Sequence, residues 1–144
     1  TLDRSSAASD VYKRQARILG VAQTTLGLGL LVEKITDPAG NIAPTVADLA
    51  QQGLVDDVFF GQLDEFFADL ADAHVVLHDV SASNIACGQN ADGKQGLYLI
   101  DGFGVLPLIP LYAWSKSLNR KRIARKYKEM RDALRERIQG AGGA

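Results

Sequence analysis

Three side chains suited to binding a cation or moving a proton occur in Val76–Gly104, the stretch VLHDVSASNIACGQNADGKQGLYLIDGFG. Asp79 is followed five residues later by Asn84, and Asp101 follows an apolar run in a glycine-rich corner. Acidic and amide side chains at the ends of apolar strands are costly to place unless they bind something. Magnesium prefers hard oxygen ligands and commonly takes one or two carboxylates. The pattern therefore predicts a site for a divalent cation such as magnesium.

Short strands and one short helix are predicted around these residues. Residues 16–25 and 26–35 are typical of two strands joined near Thr25–Gly27, because apolar and β-branched residues dominate and glycines interrupt them. Residues 44–52 begin with Pro-Thr and stop before a glycine, which is typical of a helix. Three more apolar pieces separated by polar turns predict further strands, namely HVVLHDV, SNIACG and GLYLIDG.

Two longer helices are predicted from apolar residues that recur at three- and four-residue steps. The first is VDDVFFGQLDEFFADLADAH, residues 55–74, and the second runs from about Ser115 to Ile138. The residues expected on the buried faces are Val55, Val58, Phe59, Leu63, Phe66, Phe67, Leu70 and Ala71 in the first helix, and Leu118, Ile123, Tyr127, Met130 and Leu134 in the second.

Length and composition predict one globular domain. The chain has 144 residues, of which 47% are hydrophobic and 23% charged. The single cysteine, Cys87, excludes an internal disulfide framework and a zinc site built from several thiolates. No apolar signal segment is visible near the N-terminus, and the run VLPLIPLYAW is too short and too rich in proline to span a bilayer. We therefore expect a soluble, cytoplasmic protein.

The charges are distributed unevenly. Residues 116–137 carry ten basic and three acidic side chains, a net charge of +7, whereas the rest of the chain carries −8. Such a basic segment has three interpretations: a helix packed on the acidic body, a surface for nucleic acid or an anionic membrane, or a docking site for a protein partner. The first is the commonest arrangement.

The order of helix, strand, Asp-x-x-x-x-Asn, strand, turn, strand and Asp-Gly-Phe-Gly resembles the C-terminal lobe of the protein-kinase-like fold. More narrowly, three segments are similar to the PhoP regulatory network protein YrbL family: Leu30–Gly40, HDVSASNI, and LIDGFGVLPLIPLYAWSKSLNRKRIARKYKEM, with LIP-x-x-A-W-S-K as the most specific part. The resemblance covers approximately residues 16–131. It implies an α+β fold class: a kinase-like C-terminal lobe of helices and short strand pairs, with the N-terminal lobe largely missing.

The resemblance also implies a role for each candidate residue. Asp79 would accept the proton of an attacking hydroxyl group. Asn84 and Asp101 would hold Mg²⁺, and backbone groups of Glu33, Lys34 and Ile35 would bind the adenine of ATP. The implied ancestral function is ATP- and magnesium-dependent phosphoryl transfer. The alternative is a non-catalytic regulatory or pseudokinase protein that acts through its basic C-terminal helix.

The chain departs from the kinase pattern at several points. Leu77 stands at the position of the loop histidine, followed by His78, and Ser81 replaces a frequent lysine. No glycine-rich loop or phosphate-binding lysine precedes the first strand, so we expect an inactive fragment. The expected organisation is a disordered or non-native lead (1–15), the end of an N-terminal lobe with its hinge (16–36), a C-terminal lobe with the basic helix (37–138), and a flexible tail (139–144).

Overall fold

A computed structural model describes residues 14–77, 79–101 and 115–141. Within these ranges the chain forms two antiparallel hairpins and three α-helices. This combination of helices with small antiparallel sheets confirms the predicted mixture of α and β structure. In chain order the elements are β1 (Ile18–Thr24), β2 (Gly27–Val32), α1 (Val46–Gln51), α2 (Asp57–Asp72), β3 (Ile85–Gln89), β4 (Gln95–Leu99) and α3 (Lys116–Ala141).

The first hairpin closes through a two-residue turn, Thr25–Leu26, in the region where the sequence predicts the two strands to join. Strand β1 pairs with β2 so that Thr24 lies opposite Gly27. The Thr24 hydroxyl donates to the Gly27 carbonyl at 2.8 Å and accepts the backbone N–H of Leu26 at 3.2 Å. Gly27 has a φ of 112°, a backbone conformation that residues other than glycine rarely adopt. Local chemistry therefore fixes this turn.

The second hairpin carries the candidate site at its open end. Its register pairs Ile85 with Leu99 and Gln89 with Gln95. In the connecting turn, the side-chain oxygen of Asn90 accepts two backbone N–H groups, at 3.1 and 2.9 Å. The prediction of two strands joined by polar turn residues is confirmed.

The first of the three predicted strand pieces, residues 74–80, does not form a strand in the part of the chain that the structure describes. Leu77 makes only a single bridge there. The side chains of Val75 and Leu77 are nevertheless buried in the core. Apolar side chains of this segment are therefore buried although its described residues form no continuous strand.

Strand β3 lies unusually close to the chain around Thr36. The backbone of Thr36 exchanges two hydrogen bonds with Gln89, at 3.0 and 2.7 Å. A Cβ atom added at Gly88 would lie 2.4 Å from the Thr36 carbonyl oxygen and 2.6 Å from the Cβ of Ala43. Only glycine fits here, because the backbone of the neighbouring segment occupies the space of a side chain.

Polar side chains cap the N-termini of α1 and α2, and the first of them belongs to the Pro-Thr pair at which the sequence predicts a helix start. The Thr45 hydroxyl accepts the backbone N–H of Asp48, and the Asp48 carboxylate accepts the N–H of Thr45 at 2.8 Å, which forms a capping box. The Asp56 carboxylate accepts the N–H of Phe59 at 2.8 Å at the start of α2. The short helix predicted at 44–52 and the longer one at 55–74 are both confirmed.

The main core lies where α2, α3 and the second hairpin meet. Strand β3 contributes Ile85 and β4 contributes Leu97 and Leu99. The buried side chains of the two helices are Phe60, Leu63, Phe66, Phe67, Leu70 and Ala71 of α2, and Ile123, Met130 and Leu134 of α3.

Two residues predicted for this core are exposed, so those two predictions were wrong. Val58 is 71% exposed and Leu118 is 45% exposed. Each lies five positions before a buried residue, Leu63 and Ile123 respectively, which places it about 140° around the helix. In α3 the residue after Leu118, Asn119, is on the buried face instead.

Alanine substitutions at two glycines should have opposite effects on the free energy of unfolding. Gly88→Ala should lower it by about 1–3 kcal/mol, because the new methyl group meets the Thr36 backbone. Gly61→Ala, in the middle of α2 with nothing near the added Cβ, should raise it by about 0.5–1 kcal/mol. Urea denaturation of both variants measures the effect. Equal changes in the two variants would contradict the close approach at Gly88.

Candidate functional site

The loop before β3 folds back so that its two predicted residues meet. A short 3₁₀ turn, Ala82–Asn84, begins after Ser81, whose carbonyl accepts the N–H of Asn84 at 3.0 Å. The Asn84 side-chain nitrogen donates to the Asp79 carboxylate at 3.4 Å. The side-chain oxygen of Asn84 is then the atom available to a cation.

A backbone hydrogen bond between the two strand ends brings Asp101 close to Asn84. The N–H of Ile100 donates to the Asn84 carbonyl at 2.9 Å, so the chain entering β3 and the chain leaving β4 are bonded at this point. Asp101 follows immediately and its side chain is exposed. The structure therefore brings all three predicted residues to one end of the second hairpin.

The predicted adenine-binding segment lies near the other end of that hairpin. Thr36 bonds to Gln89, and Glu33 bonds to the turn between the strands, whereas Asn84 precedes β3. A strand of five residues spans roughly 16 Å. The structure separates the predicted adenine contacts from the predicted metal ligands by about that length.

Two backbone groups of the adenine-binding segment are already bonded within the chain. The N–H of Glu33 donates to the Arg17 carbonyl at 2.7 Å, and the Ile35 carbonyl accepts the N–H of Ala43 at 3.0 Å. The side chain of Lys34 is exposed and its ammonium group donates to the Gly40 carbonyl at 3.0 Å. Adenine would have to use other backbone groups of these residues.

The Glu33 side chain has a role that sequence reasoning missed. The residue is only 6% exposed, and its carboxylate accepts the Ala91 N–H at 2.7 Å and the Arg17 N–H at 3.1 Å. The Arg17 guanidinium also donates to it, at 3.2 and 3.3 Å, and to Asp92 at 3.1 Å. Glu33 thus ties the first hairpin to the turn of the second. An acidic residue after an apolar strand was the available signal.

The pKa of Glu33 reflects two opposed effects. Burial disfavours the charged carboxylate, but the hydrogen bonds from Arg17 and Ala91 outweigh burial and lower the pKa below its usual value of 4.5. The carboxylate is therefore ionised in the folded protein and stabilises it at neutral pH.

A comparison with protein-family models decides the family. The model described as PhoP regulatory network protein YrbL matches residues 3–135. The chain belongs to the YrbL family. A search of curated proteins found no relative that matches it.

In this YrbL family member the basic helix α3 is packed on the acidic body. Asp64 of α2 accepts a hydrogen bond from the Tyr127 hydroxyl at 2.5 Å and forms an ion pair with Arg131 at 2.9 Å. Arg120 pairs with Asp72 further along α2. Burial, and then the bond to Asp64, raise the pKa of Tyr127 above its usual value. The interpretation of the basic segment as a helix packed on the body is confirmed.

Two further side chains of α3 reach the segment that leads into the loop. The Asn119 side chain donates to the Val75 carbonyl at 2.9 Å, and the Arg122 guanidinium donates to the Leu77 carbonyl at 2.8 Å. Sequence reasoning missed both residues. The only signal was a polar residue, Asn119, four positions before Ile123 on the apolar stripe.

The donor set at the end of the hairpin suits a hard cation that keeps several waters. Within the residues that the structure describes, no three His, Cys, Asp or Glu side chains cluster closely enough to hold a metal ion. Asn84 and Asp101 would supply one neutral and one charged oxygen, and Mg²⁺ commonly binds through few protein ligands together with phosphate oxygens. The residues present fit that ion.

Several predictions lie outside the described residues. These are the environment of His78, the glycine-rich corner after Asp101, most of the LIP-x-x-A-W-S-K segment, nearly all of the lead at 1–15, and the last three residues of the tail. The described part of that tail is helical, since α3 extends to Ala141. None of the described helices is long and apolar enough to cross a membrane.

Replacing Glu33 by glutamine should make stability less dependent on pH. A carboxyl group with a lowered folded-state pKa contributes stability above its unfolded pKa, near 4.5, and that contribution is lost as the pH falls through the folded pKa. Glu33→Gln should therefore lower the free energy of unfolding at pH 7 by about 1–3 kcal/mol and have a smaller effect at pH 3.

Urea denaturation between pH 3 and pH 7 measures this dependence. Asp92→Asn is the matched control, because Asp92 bonds to the same arginine but is mostly exposed. A Glu33→Gln profile parallel to that of the unmodified protein over this range would contradict the assigned role of the carboxylate.

Proposed function

We propose that the end of the second hairpin is a magnesium–ATP site and that the reaction it serves is phosphoryl transfer. The observation that carries the proposal is the contact between Asp79 and Asn84 at the Asp-x-x-x-x-Asn spacing, next to the backbone bond that brings Asp101 alongside. The element order supports a kinase-like C-terminal lobe, since a long helix, this loop, a hairpin and Asp101 follow one another.

Each residue has a distinct role in this proposal. Asn84 and Asp101 would hold Mg²⁺, which when bound neutralises charge on the transferring phosphate. Asp79 would accept the proton of the acceptor hydroxyl, and the hydrogen bond from Asn84 would orient its carboxylate. Phosphoryl transfer depends mainly on positioning and charge neutralisation, so a site of few residues suffices when they are held in place.

The adenine contact at Glu33, Lys34 and Ile35 is also part of the proposal. The Glu33 carboxylate holds this segment against the turn of the second hairpin, so its backbone is fixed before any ligand arrives.

A non-catalytic regulatory role is the second candidate, and two observations favour it. Ser81, which replaces the loop lysine, uses its hydroxyl to accept the N–H of Ser83 at 3.4 Å and carries no charge to neutralise a phosphate. On α3, Lys121 and Arg125, four positions apart, are exposed and lie on the side of the helix opposite the buried stripe. An acidic partner would bind this face without using the loop.

Thermal denaturation of the full chain with and without Mg-ATP tests the first candidate. A hundredfold excess of ligand over Kd should stabilise the protein by about 2.7 kcal/mol. Asp101→Ala should abolish this stabilisation, whereas Asp79→Asn should retain it and lose any phosphoryl transfer. Asp132→Ala, an exposed acidic residue of α3, is the control and should bind as the unmodified protein does.

Two results would contradict the proposal. One is an absence of stabilisation by Mg-ATP in the unmodified chain, which would favour the regulatory role. The other is full stabilisation in Asp101→Ala, which would remove Asp101 as a metal ligand.

A further inference from the structure

The segment that enters the Asp79 loop is held from two sides. The side chains of Val75 and Leu77 are buried in the core, and their carbonyl groups accept hydrogen bonds from α3. Residues two positions apart in an extended segment present equivalent groups to the same side. Asn119 and Arg122, one helical turn apart on α3, match this spacing.

The exit of the loop is held by the second hairpin. The bond from Ile100 to the Asn84 carbonyl fixes the last loop residue to β4. Hydrogen bonds therefore attach the loop to α3 at its start and to the second hairpin at its end. The position of Asp79 relative to Asn84 depends on both attachments.

Asn119 is an unusual choice for a purely structural position. Its side chain is 0% exposed, and its oxygen has no hydrogen-bond partner among the described residues, although its nitrogen bonds to Val75. Burying an amide with one atom unsatisfied costs stability that an apolar residue on the same stripe would retain. What the amide provides in return is a fixed bond to one backbone carbonyl.

Arg122 reaches two residues closer to Asp79. Its guanidinium lies partly buried and donates to the Leu77 carbonyl, immediately before the described loop begins. Hydrogen bonds from charged donors are stronger than neutral ones, and a partly buried donor is less screened by water. Arg122 thus limits the movement of the chain just before Asp79.

We propose that Asn119 and Arg122 are positioning residues that hold the Asp79–Asn84 loop in the geometry needed to bind magnesium and orient Asp79. The inference rests on the proposed function for its purpose, but the mechanical link from α3 to the loop is independent of any ligand. It makes α3 a structural partner of the candidate site as well as a cover for the core.

Amide hydrogen exchange, followed residue by residue by NMR in the full chain, tests the link without a ligand. Arg122→Met removes the donor and keeps an aliphatic side chain of similar length. It should accelerate exchange of the Asn84 and Ile100 amides by about tenfold or more. Exchange at Leu63, in the middle of α2, should change much less. Arg125→Met is the matched control, because it makes the same substitution about one helical turn away on the exposed face. It should leave the exchange rates of all these amides unchanged.

Arg122→Lys provides the rescue, since an ammonium group can still donate one hydrogen bond to Leu77. Its Asn84 and Ile100 amides should exchange more slowly than those of Arg122→Met. If Arg122→Met does not fold, Asn119→Leu removes the bond to Val75 and keeps a side chain of similar size on the apolar stripe. It should accelerate exchange of the same two amides, and unchanged exchange there would overturn the proposal.

Unchanged exchange at Asn84 and Ile100 in Arg122→Met would overturn the proposal. So would a uniform acceleration that includes Leu63, because it would show only a loss of global stability. Mg-ATP binding, measured on the same samples, separates this inference from the proposed function. An unmodified protein that does not bind Mg-ATP would refute the proposed function, whereas the exchange result would still decide whether α3 fixes the loop.

Discussion

The packing of α3 on α2 is the interaction on which the rest of this structure depends. It joins the most basic segment of the chain to the acidic body through Asp64, which accepts both the Tyr127 hydroxyl and the Arg131 guanidinium. Beside this polar contact, Met130 and Leu134 cover the apolar face of α2. The charge asymmetry of the sequence is therefore used partly inside the molecule, where opposite charges on two helices select how they pack.

The second hairpin is fixed at both ends by residues distant in sequence. At its turn, Glu33 accepts the Ala91 N–H, 58 residues away. At its open end, Asn84 bonds to Ile100, and the preceding segment bonds to α3. A small two-stranded sheet has little stability of its own. These attachments explain how it can present three polar side chains in a defined arrangement.

Sequence reasoning succeeded where the determining interactions are local. The turn near Gly27 and the start of the helix at Thr45 both depend on hydrogen bonds between residues three positions apart. The mixed fold and most of the core followed from apolar spacing. The exposed position of Val58 did not, because it belongs to an apolar run wider than the buried stripe. That of Leu118 did not, because the stripe passes through the polar residue Asn119 instead.

The contributions of Glu33 and Asn119 could not be predicted for a different reason. Each is a polar side chain at a position where the local pattern indicates burial, and its partner lies 58 or 44 residues away. The spacing of apolar residues along the sequence does not predict a contact between residues so far apart. The closeness of Gly88 to Thr36 is of the same kind, since it arises only when two segments meet in three dimensions.

The position of α3 in the chain has a consequence for biosynthesis. Among the described elements, α3 is the last to leave the ribosome, yet it supplies Ile123, Met130 and Leu134 to the core and the donors for Val75 and Leu77. Until then the apolar face of α2 remains open to water, and exposed surface of this kind attracts chaperones and other nascent chains. The hairpins can close early, but the nascent polypeptide reaches its final packing only after translation has passed residue 134.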